Sequence, residues 1–307
     1  MAASASSVRI WAALGAVYLI WGSTYLAIRV MVETVLALLG AGVRFVLAGV
    51  VLLALIAVRG GAHRIVVSRV MLLRLAVVGT LLAAGGNGLV TIAEKHVPSA
   101  LAALLVASTP LWIVVFRSLL RDRPGIATLA GVALGFVGVA LLLLPGNRPD
   151  GVPLGPTLVI VVAAMSWGLG SLSSQRMALP ADPLVSTGWQ MLFGGVVLTV
   201  AAVPAGELAA VDVGAFSADS VLALAYLVLI GSLVAYSAYT WLLQNAPISQ
   251  VSTYAYVNPM VAVLLGWLVL GEEIPPMMLV ASAVIVAAVA TIVRTESRER
   301  RDRVRAG

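Results

Sequence analysis

Long apolar runs alternate with short polar interruptions along the whole chain. Cutting the chain at its charged residues and at its Pro/Gly clusters leaves ten apolar stretches, each close to the roughly 20 residues that a helix needs to cross a bilayer. These stretches are residues 10–30, 35–58, 70–93, 98–120, 125–144, 154–176, 183–204, 219–243, 249–270 and 275–293. The pattern predicts an all-α membrane protein with ten transmembrane helices.

The composition agrees with lipid as the solvent, because 61% of residues are hydrophobic and only 10% are charged, against about 25% charged in soluble domains. Cysteine is absent, so disulfides and thiol nucleophiles are excluded. His63 and His96 are too far apart in sequence to suggest a metal site, and no metal or cofactor is expected. The net charge of +6 is divided among loops and a tail, so nucleic acid is not an expected partner.

The basic residues fall in alternate loops. One set of segments holds fifteen of them, Arg9, Arg59, Arg64, Arg69, Arg74, Arg117, Arg121, Arg123, Arg176, Arg294, Arg298, Arg300, Arg301, Arg303 and Arg305, and the other set holds three, Arg29, Lys95 and Arg148. Since cytoplasmic loops carry the excess of Lys and Arg, both termini are predicted to be cytoplasmic. The Arg-rich tail, residues 294–307, is expected to be solvated or to bind anionic lipid headgroups.

The chain contains an internal repeat. A shift of 146 positions lays Trp21-Gly22 on Trp167-Gly168 and Arg44 on Gln190, and a shift of 149 lays Pro98 on Pro247 and Pro110 on Pro259. Two halves of five helices follow, residues 1–147 and 148–293. Because five is odd, the second half is predicted to be inverted in the membrane relative to the first. Inverted repeats are typical of secondary transporters.

On these residues the chain resembles the EamA family of the drug/metabolite transporter superfamily. The resemblance rests on the run from Tyr18 to Tyr25, on Arg44, on Thr109-Pro110 and Asn258-Pro259, and on Gly271-Glu272, in this order along nearly the whole chain. It implies that the fourth and ninth helices border a central cavity, that Pro110 and Pro259 are hinges, and that small metabolites are exported. One departure is Leu36, where many relatives have proline at the start of the second helix.

Polar and aromatic residues at mid-depth are the candidate substrate-binding residues, because each costs free energy in lipid unless it faces protein, water or a ligand. The candidates are Trp21, Tyr25, Arg44, Asn87, Trp112, Trp167, Gln190, Tyr236, Tyr239, Tyr254 and Asn258. Two alternatives stay open: Trp21 and Trp167 either line a pocket or pack beside their glycines, and Asn87 either contacts a ligand or belongs to a packing surface. The small-residue face from Gly131 to Gly135 serves either internal packing or a homodimer contact.

Arg44 is the basic residue well inside a predicted span, roughly 13 Å along its helix at 1.5 Å per residue. An unpaired guanidinium at mid-bilayer costs at least about 2.5–3.5 kcal/mol. It must therefore meet carbonyls and polar side chains of neighbouring helices, or an anionic group of the substrate.

The expected function is a secondary transporter or facilitator of small polar metabolites such as amino acids, working by alternating access in a bacterial cytoplasmic membrane. No Asp or Glu lies mid-span in the sequence, which argues against a carboxylate that exchanges protons, and no phosphate-cradling Gly-rich loop occurs. A nucleotide-sugar or phosphorylated-metabolite carrier is the alternative within transport. A membrane-embedded enzyme or a receptor or scaffold subunit is the alternative from another class.

Overall fold

The computed structural model describes residues 7–120, 122, 124–144, 146–147 and 149–306, with side chains for all of these except 256 and 296–306. Ten helices form one bundle: α1 (Ser7–Met31), α2 (Ala37–Gly60), α3 (Arg69–Ala93), α4 (Ser99–Leu119), α5 (Ile126–Leu143), α6 (Leu154–Arg176), α7 (Pro183–Ala201), α8 (Ala218–Asn245), α9 (Tyr254–Leu270) and α10 (Pro276–Ala306). The described residues contain no strand. The prediction of an all-helical fold is confirmed.

Nine of these helices are long and apolar enough to cross a membrane, as judged over the described residues. The exception is α9, whose apolar stretch covers only Val257–Leu270, although a short helical segment, Ile248–Val251, precedes it. The predicted boundaries agree with the structure within three residues except at the start of α9 and at the end of α10. The backbone of α10 stays helical through the expected tail to Ala306. The tail side chains beyond residue 295 lie outside the described part of the chain, and so do three other arginines of the loop count, Arg121, Arg123 and Arg148.

Glycine sets the helix packing. The largest contact joins α2 and α7, and α5 also packs extensively against α10. A Cβ on Gly49 would lie 2.8 Å from the Gly188 carbonyl oxygen and 2.8 Å from the Leu192 nitrogen, so these two backbones touch because neither side chain intervenes. A Cβ on Gly131 would lie 2.9 Å from Cγ1 of Ile292 in α10, so the glycine makes room for this side chain. The small-residue face of α5 therefore serves internal packing.

The third helix of each half contains a π-helical stretch, Thr80–Gly88 in α3 and Leu227–Tyr236 in α8. Stretches of π-helix are rare and occur frequently at functional sites. Each one lies opposite the first helix of the other half, since α3 packs against α6 and α8 packs against α1.

Acidic side chains from distant loops hold the starts of two helices. Glu272 accepts hydrogen bonds from the Ser99 and Ala100 nitrogens at 2.7 and 2.9 Å, and Glu207 accepts from Leu39 at 2.8 Å and from Leu38. A carboxylate stabilises a helix N-terminus by satisfying its free N–H groups.

Leu36 directly precedes α2, as its N-cap, with a φ of −63°. This is the angle that proline adopts. The leucine therefore keeps the backbone geometry expected of the relatives' proline.

Candidate functional site

A cavity lies at the centre of the bundle. The face of α1 that carries Trp21, Thr24, Tyr25 and Ile28 forms one wall, since residues spaced three and four apart share one side of a helix. The other lining residues come from α3, α4, α6 and α9: Gly86, Asn87, Val90, Val106, Ala163, Trp167, Tyr254 and Asn258. Six of the eleven predicted site residues, Trp21, Tyr25, Asn87, Trp167, Tyr254 and Asn258, are in this wall.

The cavity is narrow. The space along its lining amounts to about 480 Å³ when space open to solvent is included, but only about 40 Å³ of it can hold the centre of a water molecule. One water needs about 10–15 Å³ by the second measure, so a few waters fit and a metabolite does not. A bound metabolite therefore requires the surrounding helices to separate.

An aromatic cluster closes the cavity toward the end of the bundle where α1 begins. The ring centroids of Trp21 and Trp167 are 5.2 Å apart, and Tyr239 lies 4.8 Å from Trp21 and 5.3 Å from Trp167. Tyr254 completes the cluster at 5.6 Å from Trp21. These separations fall in the range in which aromatic pairs attract one another beyond simple burial, so the cluster is a cohesive barrier built from both halves of the chain.

The polar groups of the cluster are also satisfied. The Trp167 indole donates to the Tyr239 hydroxyl at 3.0 Å, and Ser171 shares a hydrogen bond with that hydroxyl at 2.6 Å. The Trp21 indole donates to the Gly231 carbonyl in the π-helical stretch of α8 at 3.3 Å. These hydrogen bonds fix the orientations of the Trp21 and Trp167 rings in the cavity wall.

The two Trp-Gly pairs combine both roles that the sequence left open. Each tryptophan is in the cavity wall, whereas the glycine beside it packs against a proline-containing helix. A Cβ on Gly22 would lie 2.5 Å from Val261 of α9, and one on Gly168 would lie 3.3 Å from the Thr109 carbonyl of α4. Glycine therefore lets α4 and α9 approach the cavity.

Helix α4 is broken next to Pro110. Its two parts are Ser99–Val106 and Thr109–Leu119. Proline has no N–H for the carbonyl four residues earlier, which is that of Val106, and the Thr109 hydroxyl donates to this carbonyl at 2.7 Å. The Thr109 side chain thus satisfies the carbonyl of Val106, a residue that lines the cavity.

Pro259 is instead accommodated inside a continuous α9, and the helix is interrupted earlier, at residues 252–253. In the amide orientation that satisfies its surroundings, Asn258 donates to the Tyr254 carbonyl at 3.2 Å and to the Tyr18 carbonyl of α1 at 3.1 Å. The asparagine thus links α9 to α1 rather than bonding the Ala255 carbonyl that Pro259 leaves free. The two proline helices therefore differ in where they are interrupted.

Arg44 is buried directly behind the cavity wall, with 2% of its surface exposed. Its Nε donates to Ser232 Oγ of α8 at 2.8 Å, and its guanidinium lies 4.7 Å from the Phe45 ring centroid. A Cβ on Gly231 would meet both Thr24, which lines the cavity, and Nη2 of Arg44. Nη1 has no hydrogen-bond partner among the described residues.

A second buried charge-bearing group was missed by sequence reasoning, because Glu94 follows the last residue of α3 and was assigned to a loop. Its side chain is 0% exposed, and neither carboxyl oxygen has a hydrogen-bond partner in the described part of the chain. Burial raises the pKa of this carboxyl well above its usual range; nearby Glu272 raises it further, while Arg29 and Arg44 act in the opposite direction. A helix end can be deeply buried when other loops cover it.

The remaining predicted residues lie outside the wall. Tyr236 packs 6.0 Å from both Phe45 and Trp167, Gln190 is fully buried in α7, and Trp112 packs on Phe136 at 4.7 Å. The wall residues that sequence reasoning missed are Thr24, Ile28, Gly86, Val90, Val106 and Ala163. The helical spacing of Thr24 and Ile28 from Trp21 is a signal that could have identified them.

Comparisons with known proteins agree with this architecture. A sequence model of the EamA-like transporter family matches twice, over residues 8–144 and 155–294. The uncharacterized inner membrane transporter YedA of Escherichia coli K12 is 41% identical over 92% of this chain and 90% of its own length. Protein PecM of Dickeya dadantii is 27% identical over 93% of each chain. A crystal structure with 22% sequence identity superposes with a TM-score of 0.66, covering 94% of this chain and 97% of the other.

Proposed function

Since this chain belongs to the EamA-like transporter family, we propose that it carries a small polar metabolite, with amino-acid-like compounds foremost, across a bacterial inner membrane by alternating access. The observation that carries this proposal is the central cavity, whose wall combines aromatic and aliphatic faces with Asn87, Asn258 and Thr24. Mostly apolar walls with a few polar groups are typical of small-molecule sites. YedA of Escherichia coli is named an inner membrane transporter, which supports the location.

An inverted arrangement of the halves 1–147 and 148–293 supplies the mechanism. The helix contacts support this arrangement, because they are repeated when each helix is exchanged for its counterpart in the other half. The exchange leaves the α2–α7 and α5–α10 contacts unchanged, and it turns the α3–α6 contact into the α8–α1 contact. In related inverted repeats, two halves rock about a central site and open it alternately. Pro110 and Pro259 would absorb the motion in α4 and α9 as hinges.

Neutral or zwitterionic compounds suit the cavity better than phosphorylated ones. Its wall consists of apolar, aromatic and uncharged polar residues, and Arg44 lies behind Thr24 rather than in the wall. A nucleotide sugar would need several cationic or N–H donors for its phosphates. The single guanidinium of Arg44, once it becomes accessible in an opened cavity, would pair with one substrate carboxylate.

The direction of transport is proposed to be export, as the family resemblance implies. Charge asymmetry of the loops supports an orientation with both termini in the cytoplasm. In that orientation the aromatic cluster lies toward the cytoplasm and Glu94 toward the outside. An enzyme would instead convert its substrate without moving it, and a receptor or scaffold would give no flux.

The test is flux into proteoliposomes that contain the purified chain, with a panel of labelled amino acids, neutral sugars and sugar phosphates. We expect saturable flux of one or more amino acids. Trp21→Ala should change the substrate range or the half-saturating concentration, whereas the matched change Trp11→Ala, at a position 56% exposed on the outside of the bundle, should not. Flux of sugar phosphates alone, or no flux with any compound, would contradict the proposal.

A further inference from the structure

Residues close to Glu94 line two separate open spaces. On one side, Val90 and Tyr25 line the central cavity, and the Val90 carbonyl accepts a hydrogen bond from the Glu94 nitrogen at 2.9 Å. On the other side, Arg29, Lys95 and Glu272 line a polar depression at the bundle surface. A carboxyl group in this position can meet water from either side when the corresponding barrier opens.

The ionisable groups around Glu94 come from three other parts of the fold. Arg29 and Tyr25 face it from α1, Arg44 from α2 and Glu272 from the α9–α10 loop. Arg29 donates to the Glu94 main-chain carbonyl at 2.6 Å. Glu272 is already committed to the start of α4 through two hydrogen bonds, whereas the Glu94 carboxyl oxygens have no such partners among the described residues.

A carboxylate left without partners in a protein interior is far costlier than a neutral carboxylic acid. We propose that Glu94 is a proton-binding site that couples transport to the proton gradient, and that it carries its proton in the closed conformation seen here. This inference rests on the proposed transport function and supplies its coupling ion.

The step is a simple ionisation. When water reaches Glu94, its O–H bond breaks, one proton passes to water, and the carboxylate keeps the electron pair. The new anion lies near Arg44, whose Nη1 lacks a partner among the described residues. Pairing of the two groups would pull α2 toward the end of α3 and stabilise a conformation different from the closed one. Each transport cycle returns one proton from the opposite side.

Two measurements test this proposal. The first is the infrared absorption of the carboxylic-acid C=O group in the purified protein near neutral pH, which needs no substrate. A band present in the wild type and lost in Glu94→Gln is the expected result. The exposed Asp219 at the same end of the bundle gives the matched control, Asp219→Asn, which should retain the band. A spectrum that Glu94→Gln leaves unchanged would overturn the proposal.

The second measurement uses the labelled amino acid that the wild type carries in proteoliposomes. Glu94→Gln, which resembles the protonated side chain, should lose all stimulation by an imposed pH gradient but retain exchange of labelled for unlabelled amino acid. Loss of exchange as well, or full retention of the stimulation, would overturn proton coupling by Glu94. If the wild type carried none of the panel, the proposed function would fail while the infrared result would still decide whether Glu94 binds a proton.

Discussion

Replacing Arg44 by glutamine separates a structural role for this buried charge from a role in substrate binding. The change removes the hydrogen bond to Ser232, which is worth about 1.5–3 kcal/mol for a charged donor. It also removes a buried N–H group without a described partner, and such a group costs about 1–3 kcal/mol. These two terms oppose each other at similar size, so the fold should survive. Gln190, at the equivalent position of the other half, is already a buried glutamine.

Transport should respond differently. If a substrate carboxylate reaches Arg44 past Thr24 when the cavity widens, Arg44→Gln should weaken transport of the acid by about 1.5–3 kcal/mol, which is roughly 10- to 150-fold. An amino-acid amide, which lacks the carboxylate, should be affected much less. The control is Ser232→Ala, which removes the partner of Arg44 but keeps the charge and should leave the ratio of acid to amide flux unchanged.

The assay is initial flux against concentration for a matched acid and amide in proteoliposomes, normalised to folded protein. Thermal unfolding of the same samples measures stability. Equal losses for acid and amide in Arg44→Gln would refute contact between Arg44 and the substrate carboxylate.

Three further predictions use other parts of the molecule. In this naturally cysteine-free chain, His63→Cys should react with an impermeant thiol reagent only after the cytoplasmic face is opened, and Asp212→Cys should react in intact cells; the reverse labelling would contradict the proposed orientation. Asn87→Ala should change flux more than thermal stability, whereas Trp112→Ala should lower stability with normal flux per folded molecule. The folded state raises the pKa of Glu94, so the free energy of unfolding should fall as pH rises from about 4.5 to the folded-state pKa, by up to about 1.4 kcal/mol per pH unit. Glu94→Gln should abolish this fall when unfolding is measured against pH. A fall that the variant leaves unchanged would come from other groups.

The sequence alone determined the elements of the fold. Apolar runs of membrane-spanning length have few other solutions, because every backbone polar group in lipid must be satisfied within a helix. The run length placed most helix boundaries within three residues. The repeated Trp-Gly pairs pointed to Trp21 and Trp167 of the cavity wall. These features are local or periodic, so a linear pattern contains them.

Only the tertiary structure decided which groups meet. The position of Arg44 behind Thr24 depends on the contact of α2 with the π-helical stretch of α8, nearly 190 residues away in sequence. Trp112 and Gln190 are polar or aromatic residues at mid-depth, as Asn87 is, yet they lie outside the cavity wall. Position along a span indicates how deep a residue lies in the membrane, but not toward which neighbouring helix it points. Burial of Glu94 arises from loops and helices that are distant in sequence and cover the end of α3. Linear distance from a span therefore could not reveal it: whether a carboxyl group meets water is a property of the packed bundle.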